Sequence, residues 1–126
     1  VLTSTDAATW TQVDAGVSVD LNAVTVQAST MYNIVAVGNG GTVVRSTDSG
    51  VTWSTYNAGT TNDLTAVSSY YYQVLAVGKS GTVSTSTDAT SWTLRSSGTG
   101  ADLLAILYGF SQYVVAGSGG ISINSQ

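Results

Sequence analysis

The chain has 126 residues, enough for one domain, and it contains no cysteine, histidine or proline. This composition excludes disulfide frameworks, Cys or His metal sites and imidazole or thiolate catalysis. A net charge of −4, from seven Asp and three cations, is unsuited to binding nucleic acid.

Charged residues make up 8% of the chain and apolar residues 43%. This balance predicts a folded protein whose surface is polar but largely uncharged. No apolar run approaches the roughly 20 residues of a membrane-spanning helix. We therefore expect an extracellular or cell-surface protein without a membrane span, whose secretion signal is absent from this sequence.

In chain order, one pattern occurs three times at intervals of about 40 residues. Ser-Thr-Asp is found at 4–6, 46–48 and 86–88, and a Trp follows each copy. An Asp-Leu-x-Ala-Val/Ile segment lies at 20–24, 63–67 and 102–106, and an apolar segment ending in Gly lies at 34–38, 74–78 and 113–117. We divide the single domain, 1–126, into repeats at about 1–42, 43–82 and 83–126.

Each repeat is predicted to contain four short β-strands, because Val, Thr, Tyr and Trp alternate with Gly, Asn, Asp and Ser turns. The continuously apolar segments 34–37 and 74–77 are expected to be covered on both faces. Segment 82–85 alternates and is expected nearer solvent. The fold class is therefore all-β.

The repeated Asp residues are interpreted as structural. An Asp between two antiparallel strands can accept hydrogen bonds from the backbone of its own turn, and Gly50 can supply a positive φ. The Trp residues are expected to pack in the core or between sheets, with sugar stacking as the alternative. The structural set is Asp6, Trp10, Asp48, Gly50, Trp53, Asp88 and Trp92.

The stretch S-T-D-S-G-V-T-W at 46–53 resembles the Asp-box, or BNR, motif of sialidases, sortilin-type receptors and photosystem II assembly factors. The other two copies are one residue shorter and lack the Gly. The resemblance implies β-propeller blades with the Asp-box between the third and fourth strands. It does not extend to sialidase chemistry, since the chain has two arginines and no Glu. We predict no enzyme activity, no cofactor and no metal.

The strand count leaves incomplete blades at both termini. The chain is expected to open in a third and a fourth strand, to continue through two complete blades, and to end after a third strand at about 121–124. Three blades are too few to close a propeller. We expect completion by oligomerisation, as a six-bladed dimer or, if the contact does not close, as a filament. A monomeric β-trefoil fits the length and repeat number equally well.

Candidate ligand-binding residues are those that differ between repeats on a regular frame. We select them as Tyr56, Arg95, Lys79, Arg45 and Tyr71, the last within the run Tyr70-Tyr71-Tyr72. Three functions are carried forward: a non-catalytic, multivalent carbohydrate-binding module; a self-assembling structural protein; and an engineered or excised piece of a longer propeller.

Overall fold

The computed structural model describes residues 1–29 and 32–125. The chain is all-β, as predicted, with three-residue 3-10 turns at Asn39–Gly41, Lys79–Gly81 and Ser118–Gly120. The strands are β1 (Leu2–Thr3), β2 (Thr11–Gln12), β3 (Leu21–Val26), β4 (Ile34–Gly38), β5 (Thr42–Ser46), β6 (Ser54–Asn57), β7 (Leu64–Tyr70), β8 (Gln73–Gly78), β9 (Val83–Ser86), β10 (Thr93–Arg95), β11 (Leu103–Gly109), β12 (Gln112–Gly117) and β13 (Ser122–Asn124).

These strands form four separate antiparallel sheets. The first contains β1 and β2, the next two contain β3 to β6 and β7 to β10, and the last contains β11 to β13. Strands that are consecutive in the chain are neighbours in each sheet. The predicted succession of a partial sheet, two full sheets and a second partial sheet is confirmed, and the four sheets do not form the single barrel that a β-trefoil requires.

The first strand of each of the last three sheets has the same irregularity. A register shift separates Leu21 from Ala23, Leu64 from Ala66, and Leu103 from Ala105. At two of these bulges the extra residue links its sheet to the next one. Asn22 Nδ2 donates to the Leu64 carbonyl at 2.8 Å, and the Thr65 hydroxyl donates to the Leu103 carbonyl. The bulge thus frees one side chain per sheet for a contact between sheets.

A second set of hydrogen bonds connects the sheets at the same ends of their first strands, through the Asp that precedes each strand. Asp63 Oδ1 accepts from the Gly40 N–H at 3.0 Å, and Asp102 Oδ1 accepts from the Ser80 N–H at 2.9 Å. Each carboxylate therefore caps the 3-10 turn of the preceding sheet.

The core lies between the sheets. Val35 and Val37 of β4 and Val74 and Val77 of β8 have no exposed surface, which confirms the expectation of strands covered on both faces. Leu64 is also fully buried and belongs to the cluster between the two four-stranded sheets. Burial of this kind contributes roughly 1.5–3 kcal/mol per large apolar side chain.

The expectation that segment 82–85 lies near solvent is wrong. Ser84 is fully buried, and Thr82 and Thr85 are nearly so. The Ser84 hydroxyl donates to the Ala58 carbonyl at 2.8 Å, and the Thr85 hydroxyl lies 3.4 Å from the Thr93 carbonyl. Because their hydroxyls find backbone acceptors, these polar residues can occupy an interior strand.

Trp53 and Trp92 pack between sheets, as expected, and their strands begin one residue after them. Trp53 contacts a cluster of Ala15, Ala36 and Val44, and Trp92 contacts the cluster around Leu64. The same expectation is wrong for Trp10, which is 56% exposed. In the described part of the chain the first sheet consists of β1 and β2 alone, which leaves the Trp10 indole without an inner strand to pack against.

Candidate functional site

The turns that join the first and second strands carry exposed aromatic side chains in three successive sheets. These turns lie on one face of the molecule, which we call the aromatic face. Its exposed side chains are Tyr32, Tyr71, Tyr72 and Phe110, with exposed fractions of 63%, 62%, 67% and 101%. Aromatic residues are seldom left this open without a binding role when they occur together.

Backbone hydrogen bonds hold neighbouring turns of the aromatic face together. The Ser29 N–H donates to the Tyr71 carbonyl at 3.0 Å, and the Ser49 N–H donates to the Tyr32 carbonyl at 3.2 Å. The first bond joins two adjacent sheets. The turn before β4 is therefore joined to the Tyr71 turn and also to the β5–β6 turn of its own sheet.

A buried amide network supports the same turns from below. Gln27, 3% exposed, donates through Nε2 to the carbonyls of Tyr72 at 3.3 Å and Thr87 at 3.2 Å. Its Oε1 accepts from Asn33 Nδ2 at 3.1 Å. Since each of these buried groups has a hydrogen-bond partner, the network holds the Tyr72 turn in position against the neighbouring turns.

Tyrosine rings connect the second and third turns. The rings of Tyr70 and Tyr108 stack at 3.7 Å between centroids and 16° between planes. Tyr71 and Tyr113 meet this pair edge-on, at 4.6 Å from Tyr70 and 4.9 Å from Tyr108 respectively. The hydrogen bond with Tyr108 raises the pKa of Tyr70, and burial raises that of Tyr113, so both remain neutral at physiological pH.

The backbone of the aromatic face is strained. Tyr71, Phe110 and Ser111 have φ values of 50°, 52° and 63°, in the left-handed region that favours Gly or Asn. Phe110 and Ser111 form the two-residue loop between paired Gly109 and Gln112, where positive φ at both positions is typical of a type I′ turn. Ala7, Ser49, Ser80 and Ala89 have similar φ values in other turns of the chain.

The Ser-x-Asp turns form a backbone-binding motif. The backbone N–H groups of Thr52 and Val51 donate to Asp48 Oδ1 at 2.8 and 3.1 Å, and the Thr52 hydroxyl donates to Oδ2 at 2.5 Å. These bonds, the Thr52 hydroxyl first, lower the pKa of Asp48 to about 2. Gly50 has a φ of 92°, and its carbonyl accepts from Trp53 Nε1 at 3.1 Å.

The other two copies of this turn have the same chemistry. The backbone N–H groups of Thr9 and Ala8 donate to Asp6 at 2.7 and 2.9 Å and lower its pKa to about 2. Asp88 accepts from the N–H groups of Ser91 and Thr90, which lower its pKa further. In each copy the carboxylate acts as a hydrogen-bond acceptor for its own turn.

The charged residues selected from the sequence do not meet. Lys79 follows β8 at the end opposite the aromatic face, where its ammonium lies 3.1 Å from the Asp63 carboxylate. Arg95 is on the outer strand β10 and donates through Nε to the Thr85 hydroxyl at 3.1 Å. The Nε of Arg45 is buried without a hydrogen-bond partner in the described residues.

The selected tyrosines are also in different places. Tyr56 packs against the core cluster around Leu64, and Tyr71 belongs to the aromatic face. The sequence selection did not include Tyr32 and Phe110. The tyrosine run at 70–72 pointed to the second turn, but the alignment of this turn with Tyr32 and Phe110 depends on how the sheets are placed.

Two clefts accompany the incomplete sheets. A cleft of about 840 Å³ lies between the β1–β2 sheet and the next one, with Trp53 and Asp20 in its wall. A second, of about 360 Å³, lies between the third and fourth sheets, lined by Ser97, Val115 and Ile123. Across residues 1–29 and 32–125, no three His, Cys, Asp or Glu side chains are grouped as a metal site would require.

Within the part of the chain that the structure describes, no helix has the length and apolarity needed to span a membrane.

Comparison with known proteins identifies the fold. No protein-family model and no curated protein matches this sequence. A solved structure, YCF48 from Cyanidioschyzon merolae, is similar with a TM-score of 0.79 and 21% identity. The match covers 94% of this chain and 37% of the YCF48 chain. The fold is therefore that of a β-propeller, and the chain corresponds to a part of that longer structure.

Proposed function

We propose that this chain is a non-catalytic, extracellular β-propeller module that binds carbohydrate on the aromatic face. The observation that carries the proposal is the row of exposed aromatic side chains at equivalent turns of three adjacent sheets. Sugar rings present an apolar C–H face and a rim of hydroxyls, and exposed tyrosines offer a flat apolar ring and a hydrogen-bonding hydroxyl.

The electrostatics of the chain favour an uncharged ligand. Its three cations lie on β5, β10 and the Lys79 turn, outside the aromatic face. None of the turns that form the aromatic face carries a Lys or Arg that could pair with an anionic ligand. The repeated turns also suit multivalent binding, in which several weak sites add their effect on one oligosaccharide or on a sugar-covered surface.

We also propose that the three Ser-x-Asp turns are Asp-boxes with a structural role. Their carboxylates are occupied by backbone N–H groups and have lowered pKa values, which does not suit a general acid. This occupation supports the assignment of the chain as a binding module and not as a glycoside hydrolase.

Binding to an array of glycans, with competition by the free sugar, tests the proposal. Tyr72→Ala and Phe110→Ala should each weaken the affinity for the captured glycan by about tenfold. Lys79→Ala is the matched control, because Lys79 is exposed on the opposite face and should leave the affinity unchanged. Absence of glycan binding, or an equal loss in the Lys79 variant, would contradict the proposal.

The partial sheets favour a second function, self-association. Within residues 1–29 and 32–125, the first sheet consists of β1 and β2 and β13 is paired on one side, in contrast to the two four-stranded sheets between them. Open edges are sites for strand pairing between chains. We propose that copies of this chain associate through these ends, with the closed six-bladed dimer as the expected product. Sedimentation at increasing concentration tests this, and a monomer at every concentration would contradict it.

A further inference from the structure

The cleft of about 360 Å³ lies where the other sheet junctions place a tryptophan. Trp53 fills the junction before its own sheet and contacts Ala36, Val44 and Ala15. The fourth sheet repeats this arrangement without the tryptophan. Val115 and Ile123 are paired in the fourth sheet as Ala36 and Val44 are in the second. Ser97 follows the third sheet at the position that Ala15 has after the first sheet. Val115, Ile123 and Ser97 all line the cleft.

The β1–β2 hairpin carries a tryptophan that lacks such a junction. Trp10 is 56% exposed, and Leu2 of the paired strand is 60% exposed. The hairpin is closed by reciprocal hydrogen bonds, from the Val13 N–H to the Val1 carbonyl at 2.9 Å and from the Val1 amine to the Val13 carbonyl at 3.1 Å. Its register, Thr3 opposite Thr11, matches that of β5 and β6 in the complete sheet.

The two terminal strands β1 and β13 are versions of the same element. The residues that precede the first Asp turn, 2–4, correspond to 44–46 before the second Asp turn. Residues 123–125 occupy the same positions relative to β12 as 44–46 do relative to β4. β13 pairs with β12 over three residues and ends the sheet. β1 can therefore replace β13 on β12 and bring with it the fourth strand that β13 lacks.

The first strands of the two sheets that would meet, β11 and β3, both carry exposed apolar side chains. Leu107 of β11 is 57% exposed, and Val24 and Val26 of β3 are 64% and 51% exposed. In the interior junctions the corresponding first strands, β3 and β7, lie against each other. Asp20 occupies the position from which Asp63 and Asp102 cap the preceding 3-10 turn, and within the described residues no turn reaches its carboxylate.

We propose that the fourth sheet binds the β1–β2 hairpin of a second copy of this chain. β1 of the second copy displaces β13 from β12, and its Trp10 fills the cleft between the third and fourth sheets. Asp20 of the second copy then accepts a hydrogen bond from the turn at Ser118–Gly120. The product is a complete four-stranded sheet made of β11 and β12 from one copy and β1 and β2 from the other.

This inference rests on the proposed self-association and specifies its contact. Sedimentation velocity over a concentration series measures the dissociation constant of the full chain and its variants. Trp10→Ala should raise that constant at least tenfold, because a buried tryptophan dominates a small interface. Leu94→Ala, which removes a 51% exposed apolar side chain from the complete third sheet, should leave it unchanged.

Removal of 121–126 separates strand displacement from simple edge addition. If β13 competes with β1 for β12, its deletion should lower the dissociation constant. If the second copy adds to the free edge of β13, the deletion should abolish association. Ile123→Pro, which blocks β13 pairing by a single change, repeats the comparison if circular dichroism shows that the deletion variant is unfolded.

The outcomes distinguish the two proposals. A full chain that stays monomeric overturns self-association itself. A dimer that is unaffected by Trp10→Ala, or that is lost when β13 is removed from a folded chain, overturns this docking mode and leaves self-association in place.

Discussion

Two adjacent glycines in the turn before β5 give a matched test of how the loop between the second and third sheets packs on this turn. Gly40 and Gly41 have φ values of 64° and 72°, so a substituted Ala bears a similar backbone cost at either position. Their surroundings differ. A Cβ on Gly40 would meet no described atom within 4 Å, whereas a Cβ on Gly41 would overlap the Thr60 carbonyl oxygen and lie 2.9 Å from its carbonyl carbon.

Gly40→Ala should therefore lower the free energy of unfolding by about 1–2 kcal/mol, the cost of a left-handed L-residue. Ser80, at the same position of the next sheet, already has a φ of 54°. Gly41→Ala bears the same cost and must also displace the loop at Thr60, which adds about 1–3 kcal/mol and gives about 2–5 kcal/mol in total.

Thermal unfolding followed by circular dichroism measures both effects. At about 4 °C per kcal/mol for a domain of this size, Tm should fall by about 4–8 °C for Gly40→Ala and by about 8–20 °C for Gly41→Ala. Equal shifts for the two variants would show that the loop at Thr60 does not press on Gly41, and would refute the close approach of this loop to the turn before β5.

Three further predictions concern the buried network, the Asp turns and the aromatic turn. Gln27→Met should lower the free energy of unfolding by about 1–3 kcal/mol, measured by urea denaturation, because it leaves the carbonyls of Tyr72 and Thr87 without their buried donor; an unchanged midpoint would contradict the network. The Asp48 pKa of about 2 lies below the unfolded value of about 3.9, so the stabilisation by this carboxylate is complete above about pH 4 and is lost as pH falls through about 2. Asp48→Ala should be less stable than the unsubstituted chain at pH 7, and its free energy of unfolding should fall less on acidification. Parallel acid-unfolding profiles for the two proteins would refute this. Phe110→Asn combined with Ser111→Gly should raise the free energy of unfolding by about 1 kcal/mol, since Asn-Gly suits a type I′ turn. The same variant should bind carbohydrate more weakly, because it lacks the Phe110 ring. A stabilised variant that binds sugar with unchanged affinity would show that Phe110 is not part of the site.

The sequence predicted the strand order because the relevant signals are local. The apolar run at 34–37 and the Gly-rich turn after it need no partner to be recognised as a buried strand and its end. The division into partial and complete sheets followed from counting such segments. These features depend on backbone propensity and turn chemistry, which a repeat displays three times.

The sequence could not predict features that depend on contacts between sheets. Segment 82–85 has the alternation of a solvent-facing strand, but Ser84 finds the Ala58 carbonyl across a sheet junction and is buried. Trp10 has the place of Trp53 in its repeat, but within the described residues its sheet contains only β1 and β2, and its indole is exposed. The candidate cations were selected as departures from the repeat, and the placement of the sheets puts them in separate environments.

The residues of the aromatic face likewise include one that the sequence identified and others that it did not. Tyr71 could be identified from the run of three tyrosines. Tyr32 and Phe110 lie outside that run, and the pairing of β3 with β4 and of β11 with β12 brings their turns to the face that Tyr71 occupies.

Cross-linking through engineered cysteines tests the central claim, that β1 of one copy pairs with β12 of another. In that arrangement Thr3 takes the place of Asn124 opposite Val114. Paired residues on antiparallel strands have Cα atoms about 4.5–5.5 Å apart, within the range of a disulfide. The chain has no cysteine of its own, so Thr3→Cys with Val114→Cys is unambiguous. On oxidation we predict a covalent dimer that reduction separates into single chains, with Leu94→Cys and Val114→Cys as the control pair that forms no covalent dimer. A Thr3 and Val114 pair that yields no more dimer than this control would contradict the account.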